Sequence, residues 1–247
     1  MNKIKLFLFS IALSAIVLPT FSQVGIKRND LSIGFNGGYC MNTMTFQPTI
    51  RQNMHTGFTG GISMRYVCEK YFNSICAILL ELNYVQMGWN EDIITSEHLP
   101  VINEETGLAE KYQRNINYLQ LPILARMGWG QERKGFQFFF QAGPQLGYCI
   151  NESTDKNFTT PSSTRSSTVT TQYDMPIENK IDYGISGGFG LEYSIPKAGH
   201  LLLEGRYYYG LGDIYGNSKK DYFGRSANST IYIKMTYLFD LVKTKGL

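Results

Sequence analysis

The sequence lacks the long apolar stretches from which helical membrane proteins are built. Beyond residue 22, no run of 18 consecutive apolar residues occurs in the 247-residue chain, whereas a membrane-spanning helix needs about 20. No long stretch repeats its apolar residues with the helical period of about 3.6 either. These absences exclude a helical membrane protein and direct attention to β structure.

Residues with catalytic or metal-binding chemistry are also scarce. The chain has three histidines, and no His or Cys pair has the spacing of metal ligands. Ser96, Glu97 and His98 are the residue types of a hydrolytic triad, but adjacent loop residues rarely assemble one. We therefore predict no enzyme activity, no metal and no cofactor. A barrel enzyme that modifies lipid A or phospholipid is the less favoured alternative.

The N-terminus has the organisation of a secretory signal. Lys3 and Lys5 precede an apolar run over residues 6–18, and small residues follow before Gln23. We predict a signal peptide over residues 1–22 and one mature domain over 23–247. The residue directly after the predicted cleavage site is Gln23 and not a cysteine, so a lipoprotein is not expected. Removing two cations and no acid from 23 Lys/Arg and 20 Asp/Glu leaves a net charge of +1, which does not suggest a nucleic-acid partner.

The mature sequence is rich in glycine (25), tyrosine (17) and phenylalanine (15), with short alternating runs between polar segments. The connections between these runs alternate strictly between long and short. Long loops at one end and short turns at the other are typical of an outer-membrane barrel. We predict an all-β, eight-stranded antiparallel transmembrane up-and-down β-barrel in the cell outer membrane. Its strands would be residues 30–41, 56–67, 74–89, 112–129, 135–150, 180–195, 199–211 and 227–239.

The two faces of the strands differ in composition. In the fourth run, Leu119, Ile123 and Trp129 share one parity, while Gln120 and Arg126 lie on the other. A soluble lipocalin-like barrel would turn the apolar face inward. The second face, however, is mostly Gly, Ser, Gln and Thr with sparse charge, which suits a narrow interior better than a solvated surface. The pattern favours an aromatic-rich face toward lipid.

Two strands contain irregularities. Pro122 cannot donate to a sheet ladder, so we expect a missing bond or a bulge there. In the third run, Val85, Met87 and Trp89 share the inward parity of Glu81. Either a bulge resets the face near Val85, or the strand has already left the membrane.

Residues 118–126 (YLQLPILAR) resemble the Tyr-Leu-x-x-Pro-x-Leu-x-Lys/Arg signature of the PorT-like outer-membrane β-barrel family of Bacteroidota. Residues 184–193 (GISGGFGLEY) and 204–213 (EGRYYYGLGD) are similar to that family's penultimate strands. The resemblance implies an eight-stranded outer-membrane barrel but no single activity, although the family's name comes from a type IX secretion component. The chain departs from the usual outer-membrane ending, because it continues past Phe239 to Leu247.

Alternation along the strands places eight charged residues on the inner face, and these residues indicate what fills the barrel. An eight-stranded lumen is just filled by side chains. Five cations and three acids could form a packed, structural ion network or, alternatively, a selective ion path. These residues are Arg65, Glu81, Arg114, Arg126, Glu192, Glu204, Arg206 and Lys234.

The long connections are the predicted site of function. Residues 151–179 are rich in Ser and Thr, cannot bury a core and are expected to be mobile. In the last loop, cations and aromatics could contact lipopolysaccharide phosphate or sugar, or simply be solvated; these are Tyr215, Lys219, Lys220, Tyr222, Phe223 and Arg225. We predict a membrane anchor or binding module without an open pore. Its partners would be outer-membrane lipid and lipopolysaccharide, with a protein partner at the loops; the alternative is an accessory component of a type IX-like secretion machine.

Four cysteines in a chain predicted to be exported are candidates for disulfide bonds. Cys68 and Cys76 flank a short turn with the same parity, and we predict that they close the second hairpin as a disulfide. Cys40 and Cys149 lie on strands expected to be opposite each other, beyond the roughly 7 Å Cα separation that a bridge tolerates.

Overall fold

The structure, a computed structural model, describes residues 26–166, 170–173, 175–216 and 222–244. The predicted signal peptide lies outside these residues. One turn of 3₁₀ helix, Thr171–Tyr173, occurs after the fifth strand. No helix in the described part of the chain is long and apolar enough to cross a bilayer. The main strands are β1 (Ile26–Gln47), β2 (His55–Tyr71), β3 (Ser74–Glu91), β4 (Tyr112–Gly130), β5 (Gly135–Lys156), β6 (Ile181–Ile195), β7 (Gly199–Gly210) and β8 (Arg225–Val242).

These strands form one closed antiparallel ring. Each strand pairs with the next along the chain, and β8 returns to pair with β1 from Leu31↔Val242 to Gln47↔Arg225. A two-residue strand, Gln52–Asn53, adds to the end of β3. In the closed ring every strand has a neighbour on both sides, so the sheet has no edge strand. The predicted all-β, eight-stranded antiparallel barrel is confirmed.

The connections place short turns and long loops at opposite ends. Residues 72–73, 131–134 and 196–198 form the turns at the end that also carries Ile26 and Val242. Long connections over 48–54, 92–111, 157–180 and 211–224 lie at the other end. Six of the eight strands extend beyond the predicted runs, by as many as six residues at the loop ends of β1 and β5, whereas β6 and β7 each end one residue short. The wall is uneven there, because β4 and β5 contain 19 and 22 residues and β6 and β7 only 15 and 12.

Alternation along each strand separates an apolar outer face from the interior. Phe140 is 50% exposed, whereas the next residue, Gln141, is fully buried. The same contrast holds between Phe35 and Asn36 on β1. The outward face is dominated by large apolar and aromatic side chains, which suits contact with lipid. The predicted inside–outside assignment of these strands agrees with the structure.

The structure resolves the two irregular strands. The ladder between β3 and β4 passes from Leu80↔Ile123 directly to Asn83↔Gln120, so it is interrupted at Pro122 as expected. Of the two alternatives for the third run, the bulge near Val85 is wrong, because β3 keeps one register with β4 from Asn83 to Asn90. Val85, Met87 and Trp89 are fully buried inside the barrel. They face inward because the upper interior is apolar rather than polar.

Candidate functional site

The half of the interior near the short turns contains two groups of buried ion pairs. In the first, Arg65 Nη1 donates to Glu192 Oε1 over 2.7 Å, and Arg126 pairs with the other oxygen of the same carboxylate. His200 lies between two carboxylates. Its Nδ1 is 2.6 Å from Glu192, and its Nε2 is 3.0 Å from Asp240. The carboxylate of Glu192 is therefore surrounded by three basic side chains.

The second group contains two cations and two carboxylates, so its charges balance. Glu81 accepts hydrogen bonds from Arg206 at 2.8 Å and from Lys234 at 2.7 Å. Glu204 accepts from Arg206 at 2.6 Å and from the amide of Gln141 at 2.7 Å. All five side chains are buried. Such a group tolerates desolvation only because each charge has partners.

Arg114 lies apart from these two groups. It is buried near the loop end, where it pairs with Glu152, donates to Thr154 Oγ1 at 2.7 Å and donates to the Met175 carbonyl at 3.0 Å. The structure thus brings seven of the eight charges of inward parity into two buried groups. Arg114 instead connects the loop that contains Met175 to the loop end of β4 and β5.

A hydrophobic layer fills the interior above the charges, and the sequence did not predict it. Trp89 packs edge-on against Phe46 with ring centroids 5.2 Å apart, and Tyr112 packs on Tyr173 at 4.4 Å. The layer combines strand and loop residues, so it joins the barrel interior to the loops. Its buried members are Cys40, Met44, Phe46, Ile50, Val85, Met87, Trp89, Tyr112, Ile116, Tyr118, Cys149, Phe158, Tyr173, Ile177, Tyr208, Ile214, Tyr215, Phe223 and Tyr232.

Two long loops hold each other above this layer through Arg165. Its guanidinium donates to Glu110 at 2.6 Å and to the Tyr173 hydroxyl at 2.5 Å, and it stacks 4.4 Å from the centroid of the Phe158 ring. Tyr173 in turn donates to Glu91 at 2.6 Å. Burial and the Glu91 carboxylate raise the pKa of Tyr173, so its hydroxyl stays protonated and can donate.

The prediction that residues 151–179 cannot bury a core is wrong. Phe158, Tyr173 and Ile177 all lie in the hydrophobic layer. The backbone of this segment is also bonded to its neighbours, as in the 2.9 Å bond from Ser166 N to Ile94 O. The many Ser and Thr residues concealed a few anchoring apolar side chains.

The predicted basic and aromatic patch of the last loop does not form as one exposed surface. Tyr215 and Phe223 are buried and stack with centroids 5.7 Å apart, and burial raises the pKa of Tyr215. Tyr222 is exposed, and Arg225 covers the ring of Tyr209 on the outer wall at 5.1 Å. Lys219 and Lys220 lie outside the described residues.

The predicted disulfide between Cys68 and Cys76 is not formed, and both residues are free thiols. The register of the ladder between β2 and β3 shifts between Val67 and Glu69 on β2. This irregularity takes Cys68 out of the ladder, and Glu69 becomes the partner of Cys76. The other two cysteines are buried free thiols in the hydrophobic layer.

One cluster has the residue types of a hydrolytic triad without its working geometry. Ser194 Oγ lies 2.9 Å from His200 Nδ1, and Asp240 lies at Nε2. The same Nδ1 is closer to Glu192, so both ring nitrogens face carboxylates and neither is left as a base for Ser194. The adjacent cavity of about 30 Å³ has room for roughly one water. Among the described residues, no group of His, Cys, Asp and Glu could hold a metal ion.

Comparison with known proteins identifies the family. Residues 21–216 match the family model for the outer membrane protein beta-barrel domain. No curated protein matches the chain. Ail of Yersinia pestis, solved with the heparin analogue sucrose octasulfate, is similar at 12% identity and a TM-score of 0.38, covering 85% of this chain and 99% of Ail. OprG from Pseudomonas aeruginosa is similar at 14% identity and a TM-score of 0.41, covering 87% and 98%. Neisserial surface protein A is similar at 11% identity and a TM-score of 0.37, covering 85% and 97%. Since the family model spans most of the chain, this protein belongs to the outer membrane protein β-barrel domain family, whose members are located in the outer membrane.

Proposed function

We propose that the protein is a closed outer-membrane barrel that binds at the cell surface through its loop end and does not conduct solutes. The observation that carries this proposal is the continuous filling of the interior. Two groups of ion pairs, the hydrophobic layer and the interlocked loops follow one another along the axis. PorT-like membership, a cleaved signal peptide and a role in secretion stay predictions.

The outer wall offers a binding surface on the tall side of the barrel. Three strands carry matched rows of neutral polar residues on their outward face, which we call the amide face. Neighbours across the strands include Gln86↔Asn117 and Asn117↔Asn151, with Asn115↔Ser153 in the next row. The amide face comprises Gln86, Asn90, Gln113, Asn115, Asn117, Asn151 and Ser153, with Asp155 as its one charged member.

Its position and chemistry favour saccharide. The row below is Tyr84, Leu119 and Tyr148, which are apolar and exposed as expected at a lipid boundary. The amide face itself contains one carboxylate and no cation, so it does not suit a phosphate. Amide groups donate and accept hydrogen bonds side by side, which matches neighbouring sugar hydroxyls. A groove of about 270 Å³, whose lining adds Lys111 and Lys156, continues the surface at its upper end. We infer that the neutral sugars of lipopolysaccharide lie against this wall.

Binding of purified barrel to complete and sugar-trimmed lipopolysaccharide tests the proposal. The complete form should bind more tightly, and Asn115→Leu with Asn117→Leu should weaken that binding about tenfold, since each removes a polar partner. Thr45→Leu, an exposed position on β1 away from this wall, is the matched control. Equal binding of both forms, unchanged by the variants, would overturn the saccharide assignment. Steady single-channel conductance in a planar bilayer would overturn the closed-barrel assignment.

A further inference from the structure

The connection between β3 and β4 folds into a small antiparallel sheet above the barrel. Its stretches are joined by backbone hydrogen bonds, and Glu110 N, for example, donates to Val101 O at 2.8 Å. The next long connection joins the same sheet, because Thr95 forms a bridge with Arg165. We call this surface the loop sheet, and its four stretches are residues 93–95, 99–103, 108–110 and 165–166.

One face of the loop sheet is buried against the loop end of the barrel. Val101 is fully buried on this face, and Ile93 packs against the hydrophobic layer. The side-chain amide of Asn103 donates to Glu110 Oε1 at 3.0 Å, and its carbonyl oxygen accepts from Glu105 N at 3.0 Å. These contacts form the sheet in the free protein, so a partner that binds it does not have to order the loop.

The opposite face of the loop sheet is apolar and faces away from the protein. Ile94 is paired with Pro100 across two neighbouring stretches. Ile102 lies two residues beyond Pro100 and is paired with Ala109, so both pairs point to the same side. Ile102 is 53% exposed, Pro100 is exposed, and the other two are partly exposed. Four neighbouring apolar side chains thus form an outward face on a rigid sheet.

The position and composition of this face suit neither lipid nor saccharide. Tyr84 marks the lipid boundary on β3, and the strand continues for seven residues to Glu91 before the loop sheet begins. At about 3.3 Å per residue and a tilt of about 40°, that length corresponds to a rise of about 18 Å, which is beyond the reach of acyl chains. The four outward side chains have no hydrogen-bonding group for a sugar hydroxyl and no aromatic ring to stack on a sugar.

The charges around the apolar face are negative. Glu97 lies in the turn at one end of the middle stretch, and Glu104 and Glu105 lie in the turn at its other end, and all three are exposed. No Lys or Arg occurs over residues 92–110. Carboxylates at both ends of the face repel the phosphates of lipopolysaccharide and attract the cations of a polypeptide.

We propose that the loop sheet binds an extended segment of a protein that has alternating apolar residues at its centre and Lys or Arg at both ends. The apolar side chains lie against Ile102 and its three outward neighbours, and the terminal cations lie beside the glutamates of the two turns. Four side chains offer far less than the roughly 800 Å² per partner that two folded domains bury in a stable complex, so the partner contributes a segment. The inference rests on the proposed function, because it needs the loop end to face outside the cell, but it does not depend on saccharide binding.

Fluorescence anisotropy of labelled peptides with the purified barrel in a nonionic detergent tests the proposal. The peptide KKVSVSVKK should bind about tenfold more tightly than KKSSSSSKK, since only the first buries apolar side chains. It should also bind about tenfold more tightly than EEVSVSVEE, which the glutamates of the turns repel, and this difference should shrink in high salt. Equal binding of the three peptides would overturn the proposal.

Substitution on the apolar face identifies the site. Ile102→Ser should weaken binding of KKVSVSVKK about tenfold. Tyr222→Ser, which removes a similarly exposed apolar side chain from the last long connection, is the matched control and should not change binding. Faster migration on a gel before boiling than after it shows that each variant is folded. No effect of Ile102→Ser, or an equal effect of Tyr222→Ser, would overturn the proposal, as would a concentration-dependent dimer that Ile102→Ser abolishes, since the occupant would then be a second copy.

Substitution of the carboxylates tests the charges. Glu104→Gln together with Glu105→Gln should weaken binding of KKVSVSVKK about fivefold in low salt and leave it unchanged in high salt. Glu178→Gln, at an exposed carboxylate of another loop, is the matched control and should not change it. Asn115→Leu with Asn117→Leu should also leave peptide binding intact, so the saccharide assignment and the peptide assignment can fail separately. An unchanged affinity of the Glu104 and Glu105 double variant in low salt would contradict the assignment of the cations.

Discussion

The guanidinium of Arg126 lies 3.7 Å from the centroid of the Phe139 ring, inside the barrel. Phe139 keeps the inward parity of its strand, between Phe138 and Phe140 that face outward, but it places an aromatic ring on the otherwise polar inner face. Gly190 on β6 leaves room for it, because a Cβ there would come within 2.5 Å of the Phe139 ring. One face of a buried cation is thus covered by an aromatic ring instead of a carboxylate.

This arrangement predicts a specific loss of stability for Phe139→Leu. The substitution keeps an apolar side chain but removes the ring face, which contributes about 2 kcal/mol when the cation is desolvated. The free energy of unfolding in detergent should fall by about that amount. Phe140→Leu, one residue away on the lipid face, is the control and should be nearly neutral. Equal losses for the two would contradict a role for the cation–ring contact.

Arginine substitutions at neighbouring positions should separate the lipid face from the interior. Phe140→Arg places a cation in hydrocarbon near mid-strand, at a cost of about 2–4 kcal/mol. Gln141→Arg places the same cation beside the carboxylate of Glu204, where Gln141 now donates at 2.7 Å. The denaturant midpoint should therefore fall further for Phe140→Arg. Greater damage from Gln141→Arg would contradict the assignment of the outer face to lipid.

In the group of Glu81, Glu204, Arg206 and Lys234, removing one carboxylate should lower the free energy of unfolding more than removing a carboxylate together with a cation. Glu81→Gln leaves Arg206 and Lys234 with only Glu204 as a charged partner, and breaking a buried pair in this way costs about 3–5 kcal/mol. Adding Lys234→Met restores charge balance. Urea unfolding should show the double variant to be more stable than Glu81→Gln alone. A double variant less stable than the single one would mean that the charges do not compensate each other.

Orientation can be tested with protease sites at the two ends. A site inserted between Ser163 and Thr164, which are exposed in a long loop, should be cleaved on intact cells. A site between Arg133 and Lys134, in a short turn, should be cleaved only after the outer membrane is opened. Immunoblotting for the fragments measures both. The reverse pattern would invert the topology.

The sequence predicted the strands because alternation reports directly on which side a residue faces. It therefore identified Gln141 as inward and Phe140 as outward, and it identified eight buried charges from parity, although it left out the buried carboxylate of Asp182. It failed where one residue type suits two environments. Trp89 and Met87 are apolar, and parity alone could not tell an apolar interior from a lipid face. The contact of Arg165 with Glu110 was also unpredictable, because the two lie 55 residues apart in different loops. Likewise, the contacts of His200 come from Glu192 on β6 and Asp240 on β8, two strands that flank it only in the folded barrel.

Because the height of the wall differs around the ring, the barrel presents different surfaces on its two sides in the plane of the membrane. β5, which like β1 has 22 residues, is ten residues longer than the shortest strand, β7, and this difference corresponds to about 25 Å of height at a tilt of about 40°. A neighbour that diffuses toward the β4–β5 side meets a polar wall above the lipid, whereas one arriving from the β6–β7 side meets a low step at headgroup level. The barrel is therefore not equivalent under rotation about its own axis. Which protein can associate laterally with the barrel therefore depends on which side of the wall that protein contacts.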